Sequence, residues 1–307
     1  MANEVRVTVG VKDEASNTLR QIRRETEEFQ RGLSLVGVGA AAGFAGLGAA
    51  AVKMAADFQS SIGQVGAIAN ATKEQMGGLA ETAKRIGAET AFSASAAADA
   101  MQELAANGAS VTDIMGGAAD AAVALAAAGG TTLPTAAKTA ATAMDVWGIK
   151  AGEMTDVVNR LAGAANQSRF GVEDMAAAVA SGGAAASQAG IDFGEFTTAI
   201  AATASAFSSG SDAGTSFKTF ITSLPGNSEQ AKAAIEDLGL AFYDAAGNLR
   251  SMPQIVQELH DKLGPLSEQQ QTVALKTIFG NDAFRTAAGL MKLTGDEFQA
   301  LSDKMGS

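Results

Sequence analysis

Hydrophobic residues recur at every third or fourth position along most of the chain, which is the period of an amphipathic helix. In one such stretch, Thr72 and Gln75 have the spacing of a capping box. The apolar residues that follow it lie on one helical face: Met76, Leu79, Ala83 and Ile86. Ser93, and Ser267 with Gln270, predict two further helix starts. The pattern therefore predicts a mostly helical protein.

Two short stretches depart from the helical period. Apolar and polar residues alternate from Val5 to Val11, which predicts a short strand. Leu240 to Tyr243, a glycine-containing loop and Leu249 predict a small β-hairpin. The expected fold class is all-α, a helical-hairpin bundle or solenoid rich in Ala and Gly, with a short N-terminal strand and one small hairpin near 240–250.

Glycine ends the predicted helices at a regular interval. Gly108, Gly148 and Gly190 are separated by 40 and 42 residues. Each is followed by a small or branched apolar residue, a turn, and an acid that precedes the next core-facing residue. We expect these glycines to be left-handed helix C-caps at repeated turns, with the acid at the positive end of the next helix. The period favours helix pairs of the solenoid type.

An uncharged segment of 21 residues separates Arg31 from Lys53, and it is long enough to cross a bilayer as a helix. Gly39 and Gly43 have the GxxxG spacing that allows helices to approach closely. Two interpretations stay open, namely conditional membrane insertion and a buried or self-associating helix. The candidate insertion residues are Leu33, Leu35, Val36, Val38, Gly39, Gly43, Phe44, Leu47 and Val52.

These patterns divide the chain into four parts. Residues 1–31 are a strand and a charged helix, and residues 32–57 are the apolar helix that could insert in a membrane. Residues 58–238 are the repeated helical hairpins. Residues 239–307 are the β-hairpin and the C-terminal helices.

Composition supports the helical prediction and excludes several classes of function. The chain has 68 Ala, about 22% of its residues, and only 5% aromatic residues, so a β-sandwich or barrel is excluded. A net charge of −11 gives no basic surface for specific nucleic-acid binding. With no Cys and a single His, thiolate and multi-histidine metal sites are excluded.

No motif predicts catalysis or cofactor binding. The P-loop pattern is missing, and the glycines around Gly39 have the wrong spacing for a dinucleotide site. Gly210 to Gly214 lacks the central serine of a nucleophile elbow, and the single histidine, His260, lies on a charged helix face. We therefore expect no catalytic residue, no cofactor and no metal site, and a protein that is not an enzyme.

Seven segments occur in an order that resembles phage tail tape measure proteins. The resemblance covers Phe58 to about Leu290, more than two thirds of the chain. Single segments are ordinary helices or turns, but their order makes the match specific. The segments are FQSSIGQVGAIANATKEQM, IGAETAFSASAAADAMQELAANG, AAVALAAAGGTTLPTAAKTAATAM, LAGAANQSRFGVEDM, SDAGTSFKTFITSL, LGLAFYDAAGNLRSM and LKTIFGNDAF.

The resemblance implies an elongated, mainly helical protein in the lumen of the virion tail tube, whose length sets the length of the tail and which aids genome delivery. The implied partners are tail-tube subunits, tail assembly chaperones, baseplate or tail-tip proteins, further copies of the chain and the host membrane. Assembly would take place in the host cytoplasm. Because family members are commonly much longer, we expect an N-terminal portion, an engineered fragment or a truncated prophage copy of such a protein. The alternative function is that of a membrane-active, pore-forming helical protein.

Overall fold

Helices form most of the chain that the structure, a computed structural model, describes: residues 45–306, with side chains from residue 53 onward except at position 151. The predicted N-terminal strand and charged helix lie outside these residues. The first helices are α1 (Ala45–Ile68), α2 (Lys73–Glu89), α3 (Ala94–Ala106), α4 (Val111–Gly129), α5 (Leu133–Trp147) and α6 (Met154–Gln167). They are followed by α7 (Val172–Ala178), α8 (Ala184–Gln188), α9 (Phe193–Thr203), α10 (Gly210–Ser223), α11 (Glu229–Asp237), α12 (Met252–Leu263), α13 (Glu268–Leu290) and α14 (Gly295–Gly306). The all-α prediction is confirmed.

The helices begin where capping side chains satisfy their first backbone N–H groups. Thr72 and Gln75 form the predicted capping box before α2, and Ser267 and Gln270 form the one before α13. Ser93 caps α3 by accepting a hydrogen bond from the Ala96 N–H. These three predictions are confirmed because a cap is a contact between residues two or three positions apart.

The predicted β-hairpin near 240–250 is wrong. Within residues 45–306 the structure has no strand, and Tyr243 and Leu249 form a single isolated antiparallel bridge. The carboxylate of Asp244 accepts hydrogen bonds from the backbone N–H groups of Ala246 at 2.9 Å and Asn248 at 2.8 Å. Two backbone hydrogen bonds, Asp244 N to Asn248 O and Arg250 N to Phe242 O (both 2.9 Å), close the loop together with this side chain. The pairing does not extend into a ladder of strands.

Two helices are interrupted by glycines in conformations that other residues avoid. Gly117, with a φ of 134°, lies in a π-helical turn, Ile114–Ala118, inside α4. Gly280, with φ 73° and ψ −177°, bends α13 near its middle. Another π-helical turn, Val179–Gly183, joins α7 to α8. The bends let long apolar stretches fold around a common core instead of continuing as straight rods.

The core is continuous from α1 to α14, with Ile62 and Met305 near its two ends in the sequence. Helix α10 packs against α7 and α13, while α14 packs against α6, α9 and α12. The close crossing of α14 and α6 depends on Gly163, because a Cβ at that position would overlap the backbone of Met305. A linear solenoid would place each unit against its sequence neighbours only. This fold-back onto α6 makes the described region a bundle.

Candidate functional site

The structure describes only the end of the predicted membrane segment. Leu33 to Phe44, including the GxxxG pair, lie outside the described residues, and Leu47 and Val52 belong to the backbone of α1. The second half of α1 packs against α2 and α3, and Ser61 Oγ donates a hydrogen bond to Asp99 Oδ1 at 2.8 Å. The helix that continues the apolar segment is thus anchored to the bundle at its other end.

Within residues 45–306, one helix has the length and composition needed to cross a bilayer, and it is α4. Val111–Gly129 has 19 residues, and 44% of its apolar window is buried in the fold. Core helices of soluble proteins satisfy the same criteria. Helix α4 is also interrupted at Gly117, and its buried residues, such as Ile114 and Leu125, belong to the core.

The three predicted repeat turns share one geometry. Gly108, Gly148 and Gly190 have φ values of 92°, 64° and 84°. In each turn the residue after the glycine donates its N–H to a carbonyl five positions earlier, as in a Schellman motif. The bonds are Ala109 N to Leu104 O (3.0 Å), Ile149 N to Met144 O (2.8 Å) and Ile191 N to Ala186 O (3.0 Å).

Three further turns of this kind, at Asn70, Gly130 and Gly239, were missed by the sequence analysis. Gly239 has a φ of 62°, and Leu240 N donates to Ile235 O at 2.9 Å. Its distance from Gly190 is 49 residues, outside the 40-residue period, and no helix start follows it directly. The sequence signal was the Leu-Gly-Leu triplet at the end of an amphipathic helix.

A surface groove of about 310 Å³ lies between the end of α5 and the starts of α6 and α9. Its main aromatic residue is Trp147, the single tryptophan of the chain. The Trp147 indole N–H donates to Ile191 O at 2.9 Å, and the ring meets Phe193 edge-on with centroids 5.1 Å apart. A Cβ on Gly183 would lie 2.9 Å from Trp147 Cη2. The half-buried indole is therefore held in one orientation.

Acidic residues lie along the groove beside this ring. Glu153, Asp156 and Asp192 line it and are exposed. Asp192 caps α9 by accepting a hydrogen bond from the Glu195 N–H at 2.7 Å, and Glu153 accepts one from the Lys150 N–H at 3.3 Å. Among residues 45–306, none of these three carboxylates forms an ion pair with a basic side chain.

Arg160 supplies the positive charge of the groove and also holds the C-terminal helix. Its Nη1 lies 3.4 Å from Ser302 Oγ on α14. The guanidinium packs directly against Gly194, where an added Cβ would lie 2.6 Å from Nη1. Arg160 therefore connects α6, α9 and α14. Sequence reasoning missed this contact because Arg160 and Ser302 are 142 residues apart.

The carboxyl of Glu195, next to the groove, has a pKa above its ordinary value. Burial raises the pKa of Glu195, and the negative charge of Asp192 raises it further. The Met252 N–H donates to Glu195 Oε1 at 2.9 Å, which joins the start of α12 to α9 and partly opposes that shift. Glu195 is thus a half-buried structural acid.

Behind the groove, aromatic rings form a continuous series through the core. Each ring centroid lies 5.0 to 6.2 Å from the next, within the range of favourable aromatic pairs. The series extends from α5 to α13 and to the loop before α12. Its members, in order of contact, are Phe193, Trp147, Phe196, Phe217, Phe220, Phe279 and Phe242.

The other residues singled out in the sequence, Gly210, Gly214 and His260, make packing or hydrogen-bond contacts. Gly210 and Gly214 lie at the contact of α10 with α7, and His260 Nδ1 lies 3.1 Å from Met291 O. In the part of the chain that the structure describes, no group of three or more acidic or histidine side chains is placed to hold a metal ion. The arrangement consists of helix packing, turns and a surface groove.

Comparison with known proteins identifies the family. A model of the phage-related minor tail protein family matches residues 80–280, so the chain belongs to that family. The chain is also 27% identical, over 296 residues, to the tape measure protein of Pneumococcus phage Dp-1. That match covers 94% of this chain and 26% of the phage Dp-1 protein, so the chain spans about a quarter of the length of this relative. No solved structure matches. The resemblance to tape measure proteins is confirmed.

Proposed function

We propose that this chain is part of a tape measure that sets the length of a phage tail from inside the tail tube. The observation that carries the proposal is the similarity, over 94% of the chain, to the phage Dp-1 tape measure protein. The role proposed is structural and involves no catalysis. Its partners would be tail-tube subunits, tail assembly chaperones and baseplate or tail-tip proteins.

The fold suggests how this region contributes to such a protein. A straight helix of 262 residues, the number from 45 to 306, would extend about 390 Å at 1.5 Å per residue. The described helices instead fold back onto one core. We therefore propose that residues 45–306 form a folded portion of the tape, and that extended helix elsewhere in the protein sets the length.

The experiment changes the length of the tape outside the bundle. In the phage gene that encodes this chain, a helical segment of about 60 residues outside 45–306 is deleted or duplicated. Tail lengths measured by electron microscopy should change by about 90 Å in the matching direction, at 1.5 Å per residue. A phage carrying Asp237→Asn, an exposed substitution on α11, provides the control with unchanged length. Tails of unaltered length in the deletion and duplication strains would refute the proposal.

Genome delivery is a second part of this proposal. The uncharged segment before Lys53 supports it, since a helix of 21 apolar and small residues can cross a bilayer. Phage carrying Leu47→Asp should assemble tails of normal length but deliver less DNA to the host, measured as potassium efflux and genome entry. Normal genome entry would refute the genome-delivery role and would leave the proposed tail-length role unaffected.

A further inference from the structure

We propose that the Trp147 groove is a docking site for an arginine or lysine side chain that a partner protein presents. The proposal concerns residues whose geometry is independent of the tail-length role, and it goes beyond that role. It rests on three features of the groove: its fixed aromatic wall, its carboxylates without a basic partner, and its size.

The aromatic wall is rigid and accessible. Trp147 is half-buried, and its N–H bond to Ile191 O and its contact with Phe193 fix the indole plane. Ile149 lines the same groove and is also half-buried. An indole face attracts a cation, and the aliphatic stem of arginine or lysine packs well on apolar surface. This wall therefore suits a long side chain with a charged end.

The charges of the groove favour a cation over an anion. Glu153, Asp156 and Asp192 contribute three negative charges, and Arg160 contributes one positive charge. The starts of α6 and α9 add roughly half a positive charge each. The net charge of about −1 remains negative, and Arg160 is already in contact with Ser302. A basic side chain would pair with these carboxylates, which form no ion pair among the described residues, whereas an acidic one would be repelled.

The size of the groove limits the occupant to one side chain with its flanking backbone. About 310 Å³ lies at the lower end of the range for ligand sites, roughly 300 to 1,000 Å³. A whole helix would need a longer apolar trough. The occupant is therefore a basic residue on a loop or extended segment of another protein.

The single tryptophan provides a direct test. Titrating the purified chain with a capped peptide of alternating glycine and arginine should change Trp147 emission saturably. Half-saturation is expected on the order of 1 mM, since exposed ion pairs and cation–π contacts are individually weak. The matched peptide, in which citrulline replaces arginine, has the same shape without the charge and should produce no saturable change.

Variants then locate the site. Asp156→Asn combined with Asp192→Asn should weaken binding of the arginine peptide about fivefold. Asparagine also caps helices well, so the fold should be preserved. Glu236→Gln combined with Asp237→Asn removes the same charge from exposed positions on α11 and should leave affinity unchanged. Equal binding of the citrulline peptide, equal loss in both double variants, or no saturable change with arginine would overturn the proposal.

Discussion

Asp174 Oδ1 on α7 accepts a hydrogen bond from the backbone N–H of Gly210 at 2.9 Å, and so joins the first turn of α10 to α7. The two backbones are in direct contact at this point, because a Cβ on Gly210 would overlap the Asp174 carbonyl oxygen. One turn later, a Cβ on Gly214 would lie 2.5 Å from Ala178 O. The spacing of Gly210 and Gly214, which does not match a nucleophile elbow, is thus a helix-packing motif.

Gly210→Ala should therefore destabilise the protein strongly. The added methyl group meets backbone atoms, which cannot rotate away, so the free energy of unfolding should fall by about 3 kcal/mol. Urea denaturation monitored by circular dichroism measures the loss. The control is Gly63→Ala in α1, where no atom lies within 4 Å of the new Cβ and the variant should gain up to about 1 kcal/mol. Equal stabilities of the two variants would contradict the close contact.

A buried hydroxyl pair should stabilise the contact of α10 with α13. Thr286 Oγ1 donates to Ser216 Oγ at 2.8 Å, and Ser216 Oγ donates to Asp282 O at 2.6 Å. Ser216→Ala removes the acceptor of the buried Thr286 hydroxyl and the hydrogen bond to Asp282 O, and should cost about 2 kcal/mol. Thr286→Val removes only one donor and keeps the shape, so it should cost about 1 kcal/mol. A larger loss for Thr286→Val, measured by urea denaturation, would contradict the assigned donor directions.

The pKa of Glu195 predicts a dependence of stability on pH. Burial raises this pKa above its ordinary value of 4.5, so the folded protein binds the proton more tightly than the unfolded chain does. The group's stabilising contribution is complete below its unfolded pKa and is lost as the pH rises through the folded pKa. Glu195→Gln keeps an acceptor for the Met252 N–H without the charge. It should increase stability at pH 7 and flatten the pH profile above pH 4.5.

Glu297 provides the control of opposite sign. Hydrogen bonds from the Thr294 backbone and hydroxyl lower the pKa of Glu297 below its ordinary value of 4.5. Its contribution is present above the unfolded pKa and is lost as the pH falls through the folded pKa. Glu297→Gln should therefore reduce stability at pH 7 and flatten the acid side of the profile. Thermal unfolding from pH 3 to pH 8 distinguishes the two variants, and profiles that move in the same direction would contradict both assignments.

The bend in α13 should depend on glycine at position 280. Its φ of 73° and ψ of −177° fall in a region that only glycine occupies readily. Gly280→Ala should cost about 1 to 3 kcal/mol in unfolding free energy even though no atom lies within 4 Å of the added Cβ. Gly116→Ala also has open space around the Cβ but has no left-handed backbone. A Gly280→Ala variant as stable as Gly116→Ala would show that the bend is not required.

Local features of this fold were predictable from sequence, while contacts between distant segments were not. The caps at Thr72 and Ser267 depend on residues three positions apart. The contact between Arg160 and Ser302 depends on how α14 crosses α6, which periodicity does not encode. The glycine-containing loop between Tyr243 and Leu249 suggested a β-hairpin, but the carboxylate of Asp244 accepts hydrogen bonds from two of the loop's backbone N–H groups. A hydrophobic period identifies the buried face of a helix and leaves the partner of that face undetermined.

The Trp147 groove also combines local features that were predictable from sequence with contacts between distant segments that were not. The sequence predicted an acid after the repeated turn at Gly148, and Glu153 is that acid. It did not bring Asp192 and Arg160 to the same surface, because α6 and α9 meet only through tertiary packing. Candidate sites built from side chains on separate helices require the structure.

The return of α14 onto α6 has a consequence for comparisons among phages. Residues folded into such a bundle increase the mass of the protein without increasing its extended length. In a set of related tails, a plot of tail length against residue number should then be a straight line with a slope near 1.5 Å per residue, displaced along the residue axis. Under the proposed tape-measure role, the displacement equals the number of residues in the folded portion.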